Sequence, residues 1–154
     1  MASASKRFEQ ERPDPRRSTI FLEALEAAHI QVEQWIVGLE AVMNRPDGAG
    51  TAAFSLTRLR LAQANLSRTQ VAWQACSYLI PASPLGGDEE LRSLQKHEIE
   101  HAQTISEHIR RWPPQAVQDD WQGYRDATRK VLQRARELIA LEQKLLLPLL
   151  RQYR

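Results

Sequence analysis

Three of the four histidines lie between Leu91 and Trp112, in a stretch that has the pattern of a single helix. His97 lies one turn before His101, and two side chains at this spacing project about 6 Å apart from one helix face, close enough to chelate one metal ion. The alternative is that the pair has no joint role, as on many surface helices. Steps of three and four residues along the same stretch give a stripe that would face a helical core: Leu91, Leu94, Glu98, His101, Ile105, His108 and Trp112.

Two more titratable side chains fall at core positions of other predicted helices. His29 lies in register between Leu25 and Val32, where a histidine either binds a metal ion or makes a buried hydrogen bond. Glu142 lies among leucines near the end of the chain, where a carboxylate has to be protonated, paired or bound to a cation. Alternatively, Glu142 lies at the edge of the core beside Lys144, in contact with solvent.

The composition predicts one globular domain, because 154 residues with 42% apolar side chains are enough to bury a single core. Proline and glycine divide the chain into four helical stretches with short connections, and these predict an all-α fold, an antiparallel up-down-up-down four-helix bundle. The predicted helices begin near Ser18 or Thr19, Thr51 to Phe54, Asp88, and Gln118 to Trp121, and they end near Met43, Ile80, Trp112 and Gln152.

In such a bundle, four titratable side chains share one layer. At a rise of about 1.5 Å per residue, His29 lies about 16 Å from the end where the first helix starts, and Glu142 about 15 Å from it. His97 and His101 lie about 14 and 20 Å from the same end, whereas His108 lies near 30 Å, toward the opposite end. The sequence therefore predicts a metal site formed by His29, His97, His101 and Glu142.

The second predicted helix has few side chains that could bind a metal ion. Between Gly48 and Gly87 there is no aspartate, glutamate or histidine, and Cys76, the only cysteine, is more typical of core filling than of metal binding. Two inward faces are nearly equally good for this helix. One is the stripe Leu59, Ala62, Leu66, Thr69, Trp73, Cys76 and Ile80, and the other runs through Leu61, Val71 and Ala75.

The N-terminal residues, the net charge and the cysteine count indicate domain bounds, partners and localisation. Residues 1–17 are charged, proline-containing and nearly free of apolar side chains, which predicts a disordered, mobile tail before a bundle of residues 18–154. The formal charge of +2 arises from 21 basic and 19 acidic side chains, a balance that favours neither nucleic acid nor an anionic membrane as partner. A single cysteine and the absence of a signal-like or 18-residue apolar run predict a cytoplasmic protein.

The histidine within ALEAAHIQVEQWIVGLE, the pair formed by His97 and His101, and the ending LEQKLLLPLL together carry a family resemblance. Over most of residues 18–152 the chain resembles the hemerythrin-like, or HHE cation-binding, four-helix bundles. The resemblance implies a non-haem di-iron centre held by histidines and bridging carboxylates, which binds oxygen or senses oxygen, iron or nitric oxide. His29, His97 and His101 match ligand positions, and Glu142 matches an acidic residue beside one. The other implied ligand positions fall on residues of other types: Val71, Ala75, Leu138 and Gln143.

Two functions from different classes follow. The first is a reduced, mononuclear metal site in which the four predicted ligands hold one iron or zinc ion for binding or sensing, with a diatomic gas as a candidate ligand. The second is a metal-free bundle without a cofactor, in which the polar core residues form a buried hydrogen-bonded network. Such a bundle would act as a regulatory or protein-interaction module, with a protein partner or a second copy of the chain. The sequence has no glycine-rich phosphate loop and no nucleophile elbow, so an enzyme is not predicted.

Overall fold

All regular secondary structure in the described part of the chain is helical, which confirms the predicted all-α class. The structure is a computed structural model that describes residues 12–84 and 86–154. Residues 1–11 of the predicted tail lie outside this range. The helices are α1 (Pro15–Met43), α2 (Ala52–Leu79), α3 (Glu89–Arg111), the short α4 (Pro114–Asp119) and α5 (Trp121–Gln152).

The first helix begins at Pro15, ahead of the predicted start at Ser18 or Thr19. Asp14 caps it, because its carboxylate accepts a hydrogen bond from the backbone N–H of Arg16 at 2.9 Å, and the fixed φ of a proline suits the first helical position. Ser18 is buried within the helix instead, and its hydroxyl lies 2.7 Å from the hydroxyl of Tyr78. This hydrogen bond ties the start of α1 to the end of α2.

Two further aspartates lie at helix N-termini, but only one of them caps its helix. Asp120 caps α5, since its carboxylate accepts a hydrogen bond from the backbone N–H of Gly123 at 2.9 Å. Asp88 occupies the predicted N-cap position of α3, but its carboxylate accepts from the side chain of Arg92 at 2.5 Å and from no backbone N–H of the helix. The hydrogen bond from Arg92 lowers the pKa of Asp88.

The long helices pack so that α1 and α3 each contact both α2 and α5. The guanidinium of Arg58, near the start of α2, donates to the backbone carbonyl of Trp112 at 2.8 Å, just beyond the end of α3. Arg125, near the start of α5, donates to the carbonyl of Met43 at the end of α1 at 3.2 Å. The start of each of these helices therefore lies beside the end of a neighbour.

Two apolar clusters form the core, one toward each end of the molecule, and a polar layer separates them. The first cluster lies where α1 begins and α2 ends: Leu22, Leu25, Ala72, Ala75, Cys76, Leu79, Leu91, Leu94, Leu138, Leu146, Leu147 and Leu150. The second lies where α1 ends and α2 begins: Val32, Ile36, Leu39, Met43, Phe54, Leu61, Ala64, Val117, Tyr124, Leu132, Ala135 and Ile139. No described helix has a stretch long and apolar enough to cross a membrane.

The inward face of α2 departs from the first of its two predicted faces. Leu59 and Trp73 of that face are 53% and 40% exposed, although its Thr69 and Cys76 are buried. Of the alternative face, Leu61 and Ala75 are buried and Val71 is half-buried. Small alanines on the inward face allow neighbouring helices to approach closely, and the polar residues there find partners on those helices. The buried residues of α2 are Phe54, Thr57, Leu61, Ala64, Asn65, Arg68, Thr69, Ala72, Ala75, Cys76 and Leu79.

Candidate functional site

Three of the four predicted metal ligands lie in the polar layer. His29, His101 and Glu142 are buried, and the Nε2 atom of His29 lies 3.0 Å from Oε1 of Glu142. His97 is 37% exposed, and its Nδ1 atom lies 3.5 Å from the carboxylate of the exposed Glu100. The structure therefore brings His29, His101 and Glu142 into one layer and leaves His97 toward the surface of α3.

The centre of the layer is an arginine. Arg68 of α2 has no exposed side-chain surface, and its Nη1 atom donates to the carboxylate of Glu142 and, at 3.4 Å, to that of Glu98. Its Nη2 and Nε atoms donate to Oδ1 of Asn65 at 2.9 and 3.2 Å. The set His29, Asn65, Arg68, Glu98, His101 and Glu142 is called the arginine layer below.

Hydrogen bonds connect the layer across all four long helices. Because Oδ1 of Asn65 accepts from Arg68, the amide nitrogen of Asn65 is the donor to Nε2 of His101, 3.2 Å away. An accepting Nε2 means that His101 carries its proton on Nδ1. On the opposite side, Nε2 of His29 donates to the carboxylate of Glu142. The layer thus links α1 through His29 to α3 through His101.

Burial keeps both imidazoles neutral. It is the largest cause that lowers the pKa of His29 to about 4, and it does the same for His101. The positive charge of Arg68 acts in the same direction on both rings. At neutral pH neither histidine adds positive charge to the layer.

The two carboxyl groups differ in charge. Burial and the neighbouring Glu142 raise the pKa of Glu98 to about 9, so Glu98 holds a proton at neutral pH. Burial raises the pKa of Glu142 too, but the guanidinium of Arg68 opposes this rise. Because an arginine keeps its positive charge in proteins, and Glu142 has the closer contact with Arg68, we assign the negative charge to Glu142. The layer then holds one positive and one negative charge and is neutral.

The two carboxyl groups also interact directly. The protonated Glu98 donates a hydrogen bond to the carboxylate of Glu142, which raises the pKa of Glu98 and opposes the rise in the pKa of Glu142. The proton of Glu98 is therefore held within the arginine layer.

A metal ion does not fit the layer while Arg68 is in place. Both oxygens of Glu142 already accept hydrogen bonds, one from His29 and one from the guanidinium. A cation between the carboxylates would also lie a few ångströms from the guanidinium, and repulsion at about 4 Å costs about 4 kcal/mol per unit of charge at an effective dielectric constant near 20. Among residues 12–84 and 86–154, no group of three histidine, cysteine, aspartate or glutamate side chains is arranged to hold a metal ion.

Arg68, Asn65 and Glu98 belong to the layer but were not among the predicted site residues. Glu98 lies on the predicted core stripe of α3, and this was the signal for it. Asn65 and Arg68 lie on the same face of α2 as Leu61, at steps of four and then three residues. An amide and a guanidinium side chain at core spacing from Leu61 were the signal for that pair.

Comparison of the chain with models of protein families, with curated proteins and with solved structures finds no match. The geometry of the described residues is therefore the basis for assigning a function. It defines an all-α protein with a buried, hydrogen-bonded layer around one arginine.

Two histidines one helix turn apart should respond differently to mutation. We expect His97→Ala to change the free energy of unfolding by less than about 0.5 kcal/mol, because a partly exposed side chain with one surface contact is lost. We expect His101→Ala to lower it by about 2–3 kcal/mol, because the change leaves a cavity and removes the partner of Asn65. Urea unfolding followed by circular dichroism measures both variants, and equal losses would contradict the assignment of His101 to the core.

Proposed function

We propose that this protein is an antiparallel up-down-up-down four-helix bundle of the hemerythrin-like type whose metal position is taken by the guanidinium of Arg68, and that it acts as a binding or regulatory module. The observation that carries the proposal is the fully buried guanidinium between Glu98 and Glu142. A positive charge bonded to two carboxyl groups occupies the position that a cation would occupy in a metal-binding bundle.

The hemerythrin-like part of the proposal is supported by the position of the layer. His29 and His101 match ligand positions of the resemblance, Glu142 matches an acidic residue beside one, and the three come from α1, α3 and α5 into one layer. His97, the third histidine at an implied ligand position, lies outside the layer. On α2 the ligand positions that the resemblance implies are Val71 and Ala75, whereas Arg68 and Asn65 enter the layer from other positions of the same helix. The adjacency of helix starts and helix ends supports the antiparallel arrangement.

The binding or regulatory part is supported by the energetics of the layer. Replacing a buried ion pair by apolar side chains of similar volume is often neutral or stabilising by about 1–4 kcal/mol, so stability alone does not call for the pair of Arg68 and Glu142. A buried charged pair that stability does not call for supports a role in register or function. The exposed apolar side chains Ile30 and Val37, seven positions apart on the outer face of α1, add a surface that a partner can contact.

Metal content tests the proposal directly. The protein is purified anaerobically without an affinity tag, and iron and zinc are measured by mass spectrometry before and after incubation with Fe(II) and Zn(II). We expect well below one ion per chain in both cases, because Arg68 repels a cation and Glu142 is already bonded. Close to one ion per chain that is lost in Glu142→Gln would overturn the proposal and support the reduced metal site predicted from the sequence.

Removing the arginine should create metal affinity. In Arg68→Ala the carboxyl groups of Glu98 and Glu142 lose the guanidinium that they contact in the native protein, and His29 remains hydrogen-bonded to Glu142. We expect this variant to bind Co(II), measured by its visible absorption and by a rise in Tm, whereas the native protein does not.

Arg68→Met is the matched control, because methionine fills the space without adding a ligand oxygen or nitrogen. We expect Arg68→Met to bind Co(II) less tightly than Arg68→Ala. Equal Co(II) binding by the native protein and by Arg68→Ala would show that the guanidinium does not occupy the place of a metal.

A further inference from the structure

A second site lies in the half of the molecule where α2 begins and α3 ends. A cavity of about 460 Å³ is lined there by side chains from α1, α2, α3 and α5, among them Leu39, Leu61, Ile105 and Leu132. Pockets for small molecules in proteins typically have volumes of about 300–1,000 Å³ and mostly apolar walls with a few polar groups. The size and lining of this cavity match that class.

The cavity has one charged group in its wall, the guanidinium of Arg58, and no aspartate or glutamate among the described residues that line it. The guanidinium carbon of Arg58 lies 5.2 Å from the ring centre of Phe54 and 6.0 Å from that of Tyr124. Together with the 2.8 Å hydrogen bond to the carbonyl of Trp112, these contacts hold the side chain in one orientation. A guanidinium has five N–H donors, more than these contacts use, so it can also bind an anion.

The other polar groups of the wall are uncharged. His108 lies with its ring centre 5.7 Å from that of Tyr124, in a stacked arrangement, and its Nε2 atom is 3.0 Å from the hydroxyl of Thr128. Burial, together with Arg58 and Arg111, lowers the pKa of His108, so the ring is neutral at pH 7. The cavity therefore presents one positive charge to whatever fills it.

The entrance and the inner end of the cavity differ in polarity. Leu59 and Ile109 line the cavity and are 53% and 50% exposed, so an apolar ligand body would meet apolar side chains at the rim. Asn65, which lines the inner end, is the same residue that accepts from Arg68 and donates to His101. The cavity wall and the arginine layer thus share one side chain.

We propose that this cavity binds a small monoanionic molecule with an apolar body, an aliphatic or aromatic carboxylate, whose carboxylate pairs with Arg58. Charge complementarity carries the choice of an anion, because the one charge among the described lining residues is positive. The apolar lining and the volume indicate that the rest of the ligand is a small apolar chain or ring. The inference deepens the proposed binding function and rests on it, but its site is separate from the place where a metal would lie.

The test uses three probes with the same ten-carbon chain and different head groups: decanoate, decanol and decylamine. Each is titrated into the full-length protein by isothermal calorimetry. We expect decanoate to bind more tightly than decanol and decylamine to bind at least about tenfold more weakly than decanoate, because the amine would face Arg58. The inference would be overturned if decanol and decylamine bound as tightly as decanoate, or if none of the probes bound.

Two variants locate the binding. Arg58→Gln should weaken decanoate at least about tenfold and leave decanol unchanged, whereas Arg60→Gln, an exposed arginine of the same helix, should leave both unchanged. Ala62→Trp, which fills the cavity from α2, should abolish binding of both decanoate and decanol. Unchanged decanoate affinity in Arg58→Gln or in Ala62→Trp would overturn the inference. Circular dichroism of each variant verifies the fold, and if Arg58→Gln does not fold, the loss of decanoate and decanol binding in Ala62→Trp locates the site.

Metal content measured on the same preparation separates this inference from the proposed function. Decanoate binding through Arg58 in a protein that holds one metal ion per chain would overturn the metal-free proposal alone. A metal-free protein that binds none of the three probes would overturn the inference alone.

Discussion

Arg68→Met should lower the free energy of unfolding by about 3–5 kcal/mol, the usual cost of removing one partner from a buried charge pair. The variant keeps an apolar side chain of similar length, so the loss reports mainly the charge. Glu142 would remain buried without its counter-ion, and the hydrogen bonds from Arg68 to Asn65 and Glu98 would be lost. Since a domain of this size has a stability of about 5–15 kcal/mol, the loss would be a large part of the total.

A matched surface variant and a double variant make this prediction specific. Arg60→Met changes an exposed arginine on the same helix and should alter stability by less than about 0.5 kcal/mol. Arg68→Met combined with Glu142→Leu removes both charges and should recover part of the loss, because no unpaired charge is left in the core. Urea unfolding measures all three. A loss of less than about 1 kcal/mol in Arg68→Met would contradict the central role of the guanidinium.

The helices could be predicted from local signals. Prolines and glycines mark the connections, the apolar stripes of α1, α3 and α5 have a period near 3.6 residues, and these segments are helical in the structure. The start of α1 was predicted late, because Ser18 has the chemistry of a cap while Asp14 followed by Pro15 is the cap that forms. Local chemistry offers both choices, and the contact between Ser18 and Tyr78 depends on the tertiary fold.

The face of α2 could not be decided from the sequence alone. Its apolar residues are spread around the helix, so that Leu59 and Trp73 on one face compete with Leu61 and Ala75 on another. The inward face is the one with the polar residues Asn65 and Arg68, which find their partners on α3 and α5. A charged side chain at a core position is predictable only when the opposite charge that faces it is known.

The candidate site was therefore predictable in part. His29, His101 and Glu142 fall in core register on strongly periodic helices, and register together with helix rise places them at one height. The predicted core stripe of α3 contains His101 and not His97, and the structure has His101 buried and His97 37% exposed. His97 was included in the predicted site because of its spacing from His101, although the stripe placed it on another face. The charge at the centre of the layer comes from α2, the helix with the weakest periodic signal.

The stability of the protein should depend on pH with a maximum near pH 6.5. Glu98 has a pKa of about 9 in the folded protein against an ordinary value of 4.5, so above pH 4.5 the unfolded chain loses a proton that the folded protein keeps. Stability from this group falls as pH rises, by about 1.4 kcal/mol per pH unit up to pH 9. His29 and His101 have pKa values of about 4 against 6.5, so below pH 6.5 only the unfolded chain binds their protons.

The opposite pH dependences of Glu98 and of the histidines place the maximum of stability, and a variant of Glu98 provides the control. Between pH 6.5 and 4.5 His29 and His101 together lower stability by about 2.7 kcal/mol per unit of falling pH, and Glu98 offsets about half of that. The lowered pKa of His108 adds a loss in the same direction as the two histidines. Glu98→Gln keeps the shape of the side chain and removes its titration. It should therefore reduce the loss between pH 6.5 and 9, to which Glu142 still contributes because its pKa is also raised, and steepen the loss below pH 6.5. Urea unfolding from pH 4.5 to 9 measures both profiles, and the same alkaline slope in the native protein and in Glu98→Gln would show that the proton of the arginine layer is not held by Glu98.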